Sequence, residues 1–329
     1  MLIRGVGARF IFYLIVLFLL IPVIRDTGSP RFMLNIPTYD GSGQAMHPDV
    51  LLLKNPIGGY RYWMAFTPYP NGSSIYENPS IVASNDGKDW QVPKGLINPL
   101  ERAPSQGHYS DPDIFSDERG RLWLFFRWSY KLEERIYAKY SIDGIRWSEK
   151  IPILEGNSES LISPAVVRDK LYKMWYVDIR PEPNVIKLRT APSPLGPWSE
   201  PLKCRVNGVP PDKNIWHLDV VKVKGGYDAF IVLINKGKGL REGELYFATS
   251  KDGIEWNLSS FPVLAPSSKG WDSFVIYRSS AILLEEIGGC RHYALYYSAA
   301  ESSGKSKIWH TGYTEVNICV NGEGGIKLG

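Results

Sequence analysis

Cysteine is scarce in this chain: Cys204, Cys290 and Cys319 are too few, and odd in number, for a disulfide scaffold. No block of like charge occurs either, because 38 basic and 34 acidic residues are interspersed and leave a formal net charge of +4. Without a basic stripe to follow a phosphate backbone, nucleic acid is not an expected partner. Helical periodicity is also missing. These absences exclude a disulfide-stapled miniprotein, a nucleic-acid module and a helical bundle. What the chain has in abundance is aromatic side chains, 13% of its 329 residues with 11 Trp among them, enough for a large core in one domain.

The one long apolar run, Phe10 to Ile24, stands at the amino terminus behind Arg4 and Arg9. That order of charge and apolar residues belongs to an export signal. No small-x-small cleavage site follows, and the run is slightly short for a membrane span, so residues 1–27 read as a signal peptide or an N-terminal membrane anchor. The expected location is extracytoplasmic, secreted or attached to the membrane through this segment. In an oxidising compartment Cys290 and Cys319, which both fall in the last repeat described below, are expected to bridge.

Residues 28–329 carry an internal repeat. Three turns share the pattern S-x-D-G-x-x-W: SNDGKDW (Ser84 to Trp90), SIDGIRW (Ser141 to Trp147) and SKDGIEW (Ser250 to Trp256), and a degenerate SPLGPW ends at Trp198. The Trp residues at 90, 147, 198 and 256 recur at intervals of about 51 to 58 residues, the length of one four-stranded propeller blade. Asp-Gly supplies a tight turn, and the Trp packs behind it. Three β-rich runs precede each turn, and a fifth set (YRSSAILL, RHYALYYSAA, KIWHTGYTEV) ends the chain. The pattern predicts an all-β domain: a five-bladed β-propeller of four-stranded antiparallel blades, with RFMLNI after the signal as a closing strand.

In a propeller the first strand of each blade faces the central channel, and residues two apart point to the same side. Aligned on the x-Pro-x-apolar pattern, the leading slot holds His47, Asp111, Ser163, His217 and Arg278. The slot two further on holds Asp49, Asp113, Ala165, Asp219 and Ser280. Four carboxylates, two imidazoles and a guanidinium around one cavity point to a polar site, because lone buried charges are costly. A plainer reading makes each Asp a local backbone cap. Trp63, Trp123 and Trp175 on the second strands read as core between blades, whereas Trp128, Tyr69 and Tyr109 are candidate sugar-stacking platforms.

These inner-strand motifs resemble those of the five-bladed propeller glycosidases, the clan around glycoside hydrolase families 43, 32 and 62, across nearly the whole of 28–329. The resemblance implies Asp49 in MHPDV as general base and Asp113 in SDPDIF as the pKa-tuning residue. It also implies Asp111 as counterpart of the Arg-Asp-Pro aspartate, and His217 and Arg278 as channel residues. The third blade departs from the family, since ISPAVV places Ser163 where a glutamic acid is expected. Glycoside hydrolysis needs a protonated carboxylic acid, so Glu159 or Asp219 takes that role in this reading. His47, Asp111, Ser163, His217, Arg278 and Trp128 then bind substrate.

The expected function is therefore a glycoside hydrolase acting on an extracellular or cell-envelope polysaccharide or oligosaccharide, with no cofactor required. An inactive carbohydrate-binding propeller is the alternative, and a structural calcium held by His47, Asp49 and Asp111 a further expectation.

Overall fold

The apolar alternation of the repeats becomes strands throughout, and aromatic residues on their faces become the packing between sheets. A computed structural model describes residues 29–156, 158–239, 242–303, 306–320 and 326–328; the signal or anchor expected at 1–27 lies outside them. Among the described residues no helix is long and apolar enough to cross a membrane.

Five antiparallel sheets follow one another in the chain. Blade 1 comprises Ala45–Ile57, Tyr60–Pro68 and Ser80–Ser84, with a single bridge from Ala83 to Gln91 in the place of a fourth strand. Blades 2 and 3 have four strands each, beginning with His108–Ser116 and Ile162–Arg168. Blade 4 begins with Lys213–Val223, and Arg205–Asn207 joins its outer edge in parallel. Blade 5 consists of Val275–Ile287, Cys290–Ser303 and Ser306–Val320, and its outer edge is completed by Phe32–Met33 from the start of the domain. The first strands of the blades neighbour one another in cyclic order, blade 5 against blade 1 included, so they surround a central channel.

Each gap between blades is filled by its own apolar cluster, and these clusters are where the tryptophans go. Trp63 lies between blades 1 and 2, Trp123 between 2 and 3, and Trp175 and Trp256 between 3 and 4, all essentially without solvent exposure. Burying each such ring contributes roughly 2–3 kcal/mol. Cys290 and Cys319 face each other on adjacent strands of blade 5 and are bonded, while Cys204 is buried and free.

The repeated turn ties each blade to the one before it. In blade 2 the Ser141 hydroxyl accepts from the Gly144 N–H at 2.8 Å, and the Asp143 carboxylate accepts from the N–H groups of Ile145 and Arg146. Gly144 then sits in the left-handed region at φ +74°, where a Cβ would lie 2.0 Å from the Trp63 ring of blade 1. The same device recurs in blade 4, where the Gly253 carbonyl accepts the Trp175 indole N–H at 2.7 Å.

Gly120, in another turn of blade 2, has the same φ of +74° with nothing within 4 Å of its would-be Cβ. Gly120→Ala is expected to cost about 1–2 kcal/mol, the backbone strain alone. Gly144→Ala is expected to cost about 2 kcal/mol more, because it also displaces Trp63. Urea unfolding of the two variants measures the difference, and equal losses would mean that the turn does not clamp the neighbouring blade.

Candidate active site in the central channel

Every inner strand carries one extra residue relative to its partner strand at the same level. In blades 1 to 3 the unpaired residues are His47-Pro48, Asp111-Pro112 and Ser163-Pro164. Proline suits a bulge because it has no N–H to leave unbonded. The residue before it adopts a left-handed backbone, with φ of 56°, 51° and 52° at His47, Asp111 and Ser163. Non-glycine residues pay about 1–3 kcal/mol for that conformation, and three of them lie at one channel mouth. In blades 4 and 5 the unpaired residues are Trp216 and Tyr277, immediately before His217 and Arg278.

Two layers of polar side chains result. The deeper layer, two residues along each strand, joins neighbouring blades by side-chain to backbone bonds at four of the five junctions. The Ile114 N–H of blade 2 donates to Asp49 at 2.6 Å, the Val166 N–H of blade 3 to Asp113 at 3.2 Å, and the Ala281 N–H of blade 5 to Asp219 at 2.8 Å. The Val50 N–H of blade 1 donates to Ser280 at 2.9 Å. Ala165 has no acceptor to offer, and the Val220 N–H opposite it turns to its own neighbour, Asp219, at 2.8 Å.

Asp49, Asp113 and Asp219, expected as base, modulator and alternative acid, are therefore placed as ties between inner strands. Burial pushes all three carboxyls upward, Asp219 to about 7. The charge of Asp49 adds to the rise at Asp113 and Asp219, and Arg278 opposes it at all three.

The upper layer converges on Asp111. His47 Nε2 lies 3.8 Å, His217 Nδ1 3.4 Å and Arg278 Nη1 3.7 Å from Asp111 Oδ1. One ligand atom from each of His47, Asp111 and His217 falls within 4.8 Å of the other two. The other oxygen, Asp111 Oδ2, is held by the Ser110 hydroxyl at 3.0 Å and by Arg127 Nη1 at 3.5 Å. Arg127 is fixed in turn by Glu134. Asp111 Oδ1 is buried with no hydrogen-bond partner.

Burial lowers the pKa of both imidazoles, His47 to about 3, against the opposing charge of Asp111. Burial resists ionisation of Asp111 as well, but His47, His217, Arg278 and Arg127 together outweigh it and hold the carboxyl well below the usual range. His47 Nδ1 meets the Thr67 hydroxyl at 3.0 Å, which orients the ring and leaves Nε2 toward Asp111.

Ser163 bonds to His217 Nδ1, the nitrogen that Asp111 also approaches. A serine relay needs base and carboxylate on opposite ring nitrogens, so these three do not form one.

Glu77 enters from the irregular segment between the second and third strands of blade 1, 3.7 Å from His47 Nδ1 and 3.6 Å from His108 Nε2. Burial, then the charge of Asp111, raises its pKa well above the ordinary value despite Arg127. Alignment of inner strands misses Glu77 because no other blade has a counterpart. His108 had a signal, standing three residues before Asp111 on the same strand.

Two expected residues lie elsewhere. Glu159 bonds to Lys187, Arg189 and Tyr176 within blade 3, and these contacts lower its pKa against burial, the opposite of what a general acid requires. Trp128 is buried in the cluster between blades 1 and 2, its ring covered by the Arg135 guanidinium at 5.1 Å, and is not free to stack on a sugar. Tyr109 is buried in the same cluster. Of the residues expected to hold calcium, His47 and Asp111 lie in the upper layer beside His217, and Asp49 lies in the deeper layer. A surface cleft of about 500 Å³ beside Tyr227, Asp228 and Arg291 includes none of the channel residues.

A five-bladed propeller with a polar mouth on its inner strands is the architecture of carbohydrate-active propellers. The chain is 29% identical to the A type blood N-acetyl-α-D-galactosamine deacetylase of Flavonifractor plautii over 82% of its length, and spans 40% of that protein. It superposes with a TM-score of 0.81 and 26% identity on the crystal structure of an N-acetylgalactosamine deacetylase from F. plautii in complex with blood group B trisaccharide, covering 88% of this chain and 95% of that one. A GH43 β-1,3-galactosidase bound to galactodeoxynojirimycin shares the fold at a TM-score of 0.58 and 11% identity, over 90% of this chain and 96% of that one. No family model matches the chain.

If Asp49 acts as a tie, Asp49→Asn keeps an acceptor for the Ile114 N–H and is expected to retain stability and activity. Asp49→Ala is expected to lose about 1–3 kcal/mol by leaving that N–H unsatisfied. Urea unfolding alongside an activity assay checks both, and a stable but inactive Asn variant would restore Asp49 to a chemical role.

Proposed function

We propose that this chain hydrolyses the acetamido group of N-acetylated sugars, with a divalent metal ion held by His47, Asp111 and His217. The observation that carries the reading is the convergence of two imidazoles and one buried carboxylate oxygen without a hydrogen bond at the channel mouth. Such a donor set suits zinc, manganese or iron better than calcium, which prefers oxygen ligands throughout. When bound, the ion would supply Lewis-acid polarisation and a more acidic water.

The chain's own residues supply the rest. Arg127 and Ser110 hold one oxygen of Asp111 and leave the other directed inward, and Thr67 fixes the His47 ring. Glu77, whose carboxyl pKa is raised by burial and by the charge of Asp111, is the proton donor for the departing nitrogen. In the overall reaction water oxygen bonds to the acyl carbon, the C–N bond breaks, the nitrogen gains a proton, and acetate and a free amine leave.

Likeness to the F. plautii deacetylase supports amide over glycosidic cleavage, and N-acetylhexosamine as the sugar. A glycosidase reading draws on the propeller fold and on the raised pKa values of Asp113 and Asp219. It needs a protonated acid facing substrate, however, whereas those two carboxylates accept backbone N–H groups and Glu159 is ion-paired.

Incubation with N-acetylhexosaminides, monitored for acetate and for reducing sugar, separates the two readings. Acetate release is expected, abolished by a chelator and restored by zinc or manganese. Asp111→Asn and Glu77→Gln are expected to lose at least about 100-fold in rate, and Glu159→Gln to remain close to the wild-type rate. Reducing sugar released without acetate, and lost in Asp113→Asn, would overturn the proposal in favour of the glycosidase.

A further inference from the structure

Unlike His47, Asp111 and His217, Glu77 is carried by no strand. It follows two short 3-10 turns, Pro70–Gly72 and Ser74–Tyr76, in the segment that joins the second and third strands of blade 1. Such backbone has no ladder to hold it, so any precision must come from other bonds. Ile75 and Tyr76 on this segment are exposed, yet Glu77 beside them is buried, one carboxylate oxygen toward His47 and the other toward His108.

Asn78, the next residue, is where the neighbouring segments meet, and its side chain is buried. Its Nδ2 donates to the Tyr39 hydroxyl at 2.9 Å and to the Ile75 carbonyl at 3.4 Å. Its Oδ1 accepts the N–H of Ala103, in the connection from blade 1 to blade 2, at 2.7 Å. Tyr39, from the stretch leading into blade 1, donates in turn to the Tyr76 carbonyl at 3.0 Å. Main-chain bonds complete the clamp. The Glu77 N–H donates to the Ser74 carbonyl at 3.0 Å, and the Glu77 carbonyl accepts the N–H of Tyr109, two residues before Asp111, at 3.1 Å.

We propose that Asn78 is a positioning residue for Glu77: by joining the segments of Tyr39 and Ala103, it fixes the backbone from which the Glu77 carboxyl reaches the channel mouth. This rests on the reading of Glu77 as proton donor to the departing nitrogen. An acid on a loose segment samples many positions, and a displacement of about 1 Å costs on the order of 100-fold in rate. Asparagine suits the task because one planar group offers both donors and an acceptor. Aspartate would lack the donors, and leucine both.

The plainer account gives Asn78 a part in stability alone, in which case its loss would act on the rate equally with or without the Glu77 carboxyl. A double-mutant cycle of Asn78→Ala with Glu77→Gln separates the two, with kcat, KM, bound metal and melting temperature measured on each protein. Expected in Asn78→Ala are a fall in kcat of about 10- to 100-fold, a smaller change in KM and bound metal equal to wild type. Added to Glu77→Gln, the same substitution is expected to lower kcat little further. Tyr39→Phe, which removes one hydroxyl, is expected to show a smaller fall that Glu77→Gln likewise abolishes, and it takes the place of Asn78→Ala in the cycle if that variant does not fold. Equal losses with and without the Glu77 carboxyl, or wild-type kcat in the variant tested, would overturn this assignment and leave the deacetylase reading standing. A wild-type protein that releases no acetate would overturn both.

Discussion

Five inner strands around one axis each present an edge with no further strand to pair, and the backbone N–H groups on that edge must find acceptors. This constraint organises the channel. Asp49, Asp113, Asp219 and Ser280 meet it by accepting the N–H of the next blade, so the ring is held at its centre by side-chain to backbone bonds as well as at its periphery by Phe32–Met33. The exception at Ala165 fits the same rule, since the N–H it cannot serve bonds to Asp219 instead. A buried N–H left without a partner costs about 1–3 kcal/mol, which is reason enough for acidic residues at this level.

Concentrating carboxylates there creates a second problem, which Arg278 addresses. Its side chain is almost wholly buried, and its charge favours the ionised form of Asp49, Asp113, Asp219 and Asp111. The two layers are thereby distinguished. In the deeper layer burial and mutual repulsion prevail and the carboxyls move upward, whereas Asp111, beside two arginines and two imidazoles, moves downward. Carboxylates of one residue type two positions apart thus acquire different chemistry from their neighbours.

The upper layer depends on the bulges. An unbroken strand would keep His47, Asp111 and Ser163 in ladder register; one extra residue with a left-handed backbone turns each toward the axis instead. The strain recurs in three blades at the same level, and proline next to each strained residue removes the N–H that the bulge would have orphaned. Glycosidase-like propellers and this chain share the scaffold, yet a scaffold specifies only where inward-facing side chains will stand. In this chain two imidazoles and a carboxylate converge there, with Ser163 bonded to one of the imidazoles.

Much of this was legible in the sequence. The S-x-D-G-x-x-W turns set blade number and spacing because the turn chemistry is local, and the x-Pro-x-apolar alignment picked out both channel layers because alternation on a strand is local too. Local pattern also carried the Cys290–Cys319 pairing to the right blade. What alignment left open was what each inward residue touches. Asp49 and Asp111 differ in role because one meets a neighbouring blade's N–H and the other meets imidazoles and guanidiniums, and neither partner is near in sequence. Glu159 is close to Ser163 in the chain, but Arg189 and Lys187 on the same blade claim it. Glu77 arrives from a segment with no repeat. The sequence by itself determined the five blades, their turns and the residues that face the axis, since these follow from periodicity and turn geometry. Only the tertiary structure decided which of those residues tie strands together and which form a site, since charge, burial and unpaired atoms depend on the neighbours that ring closure brings together.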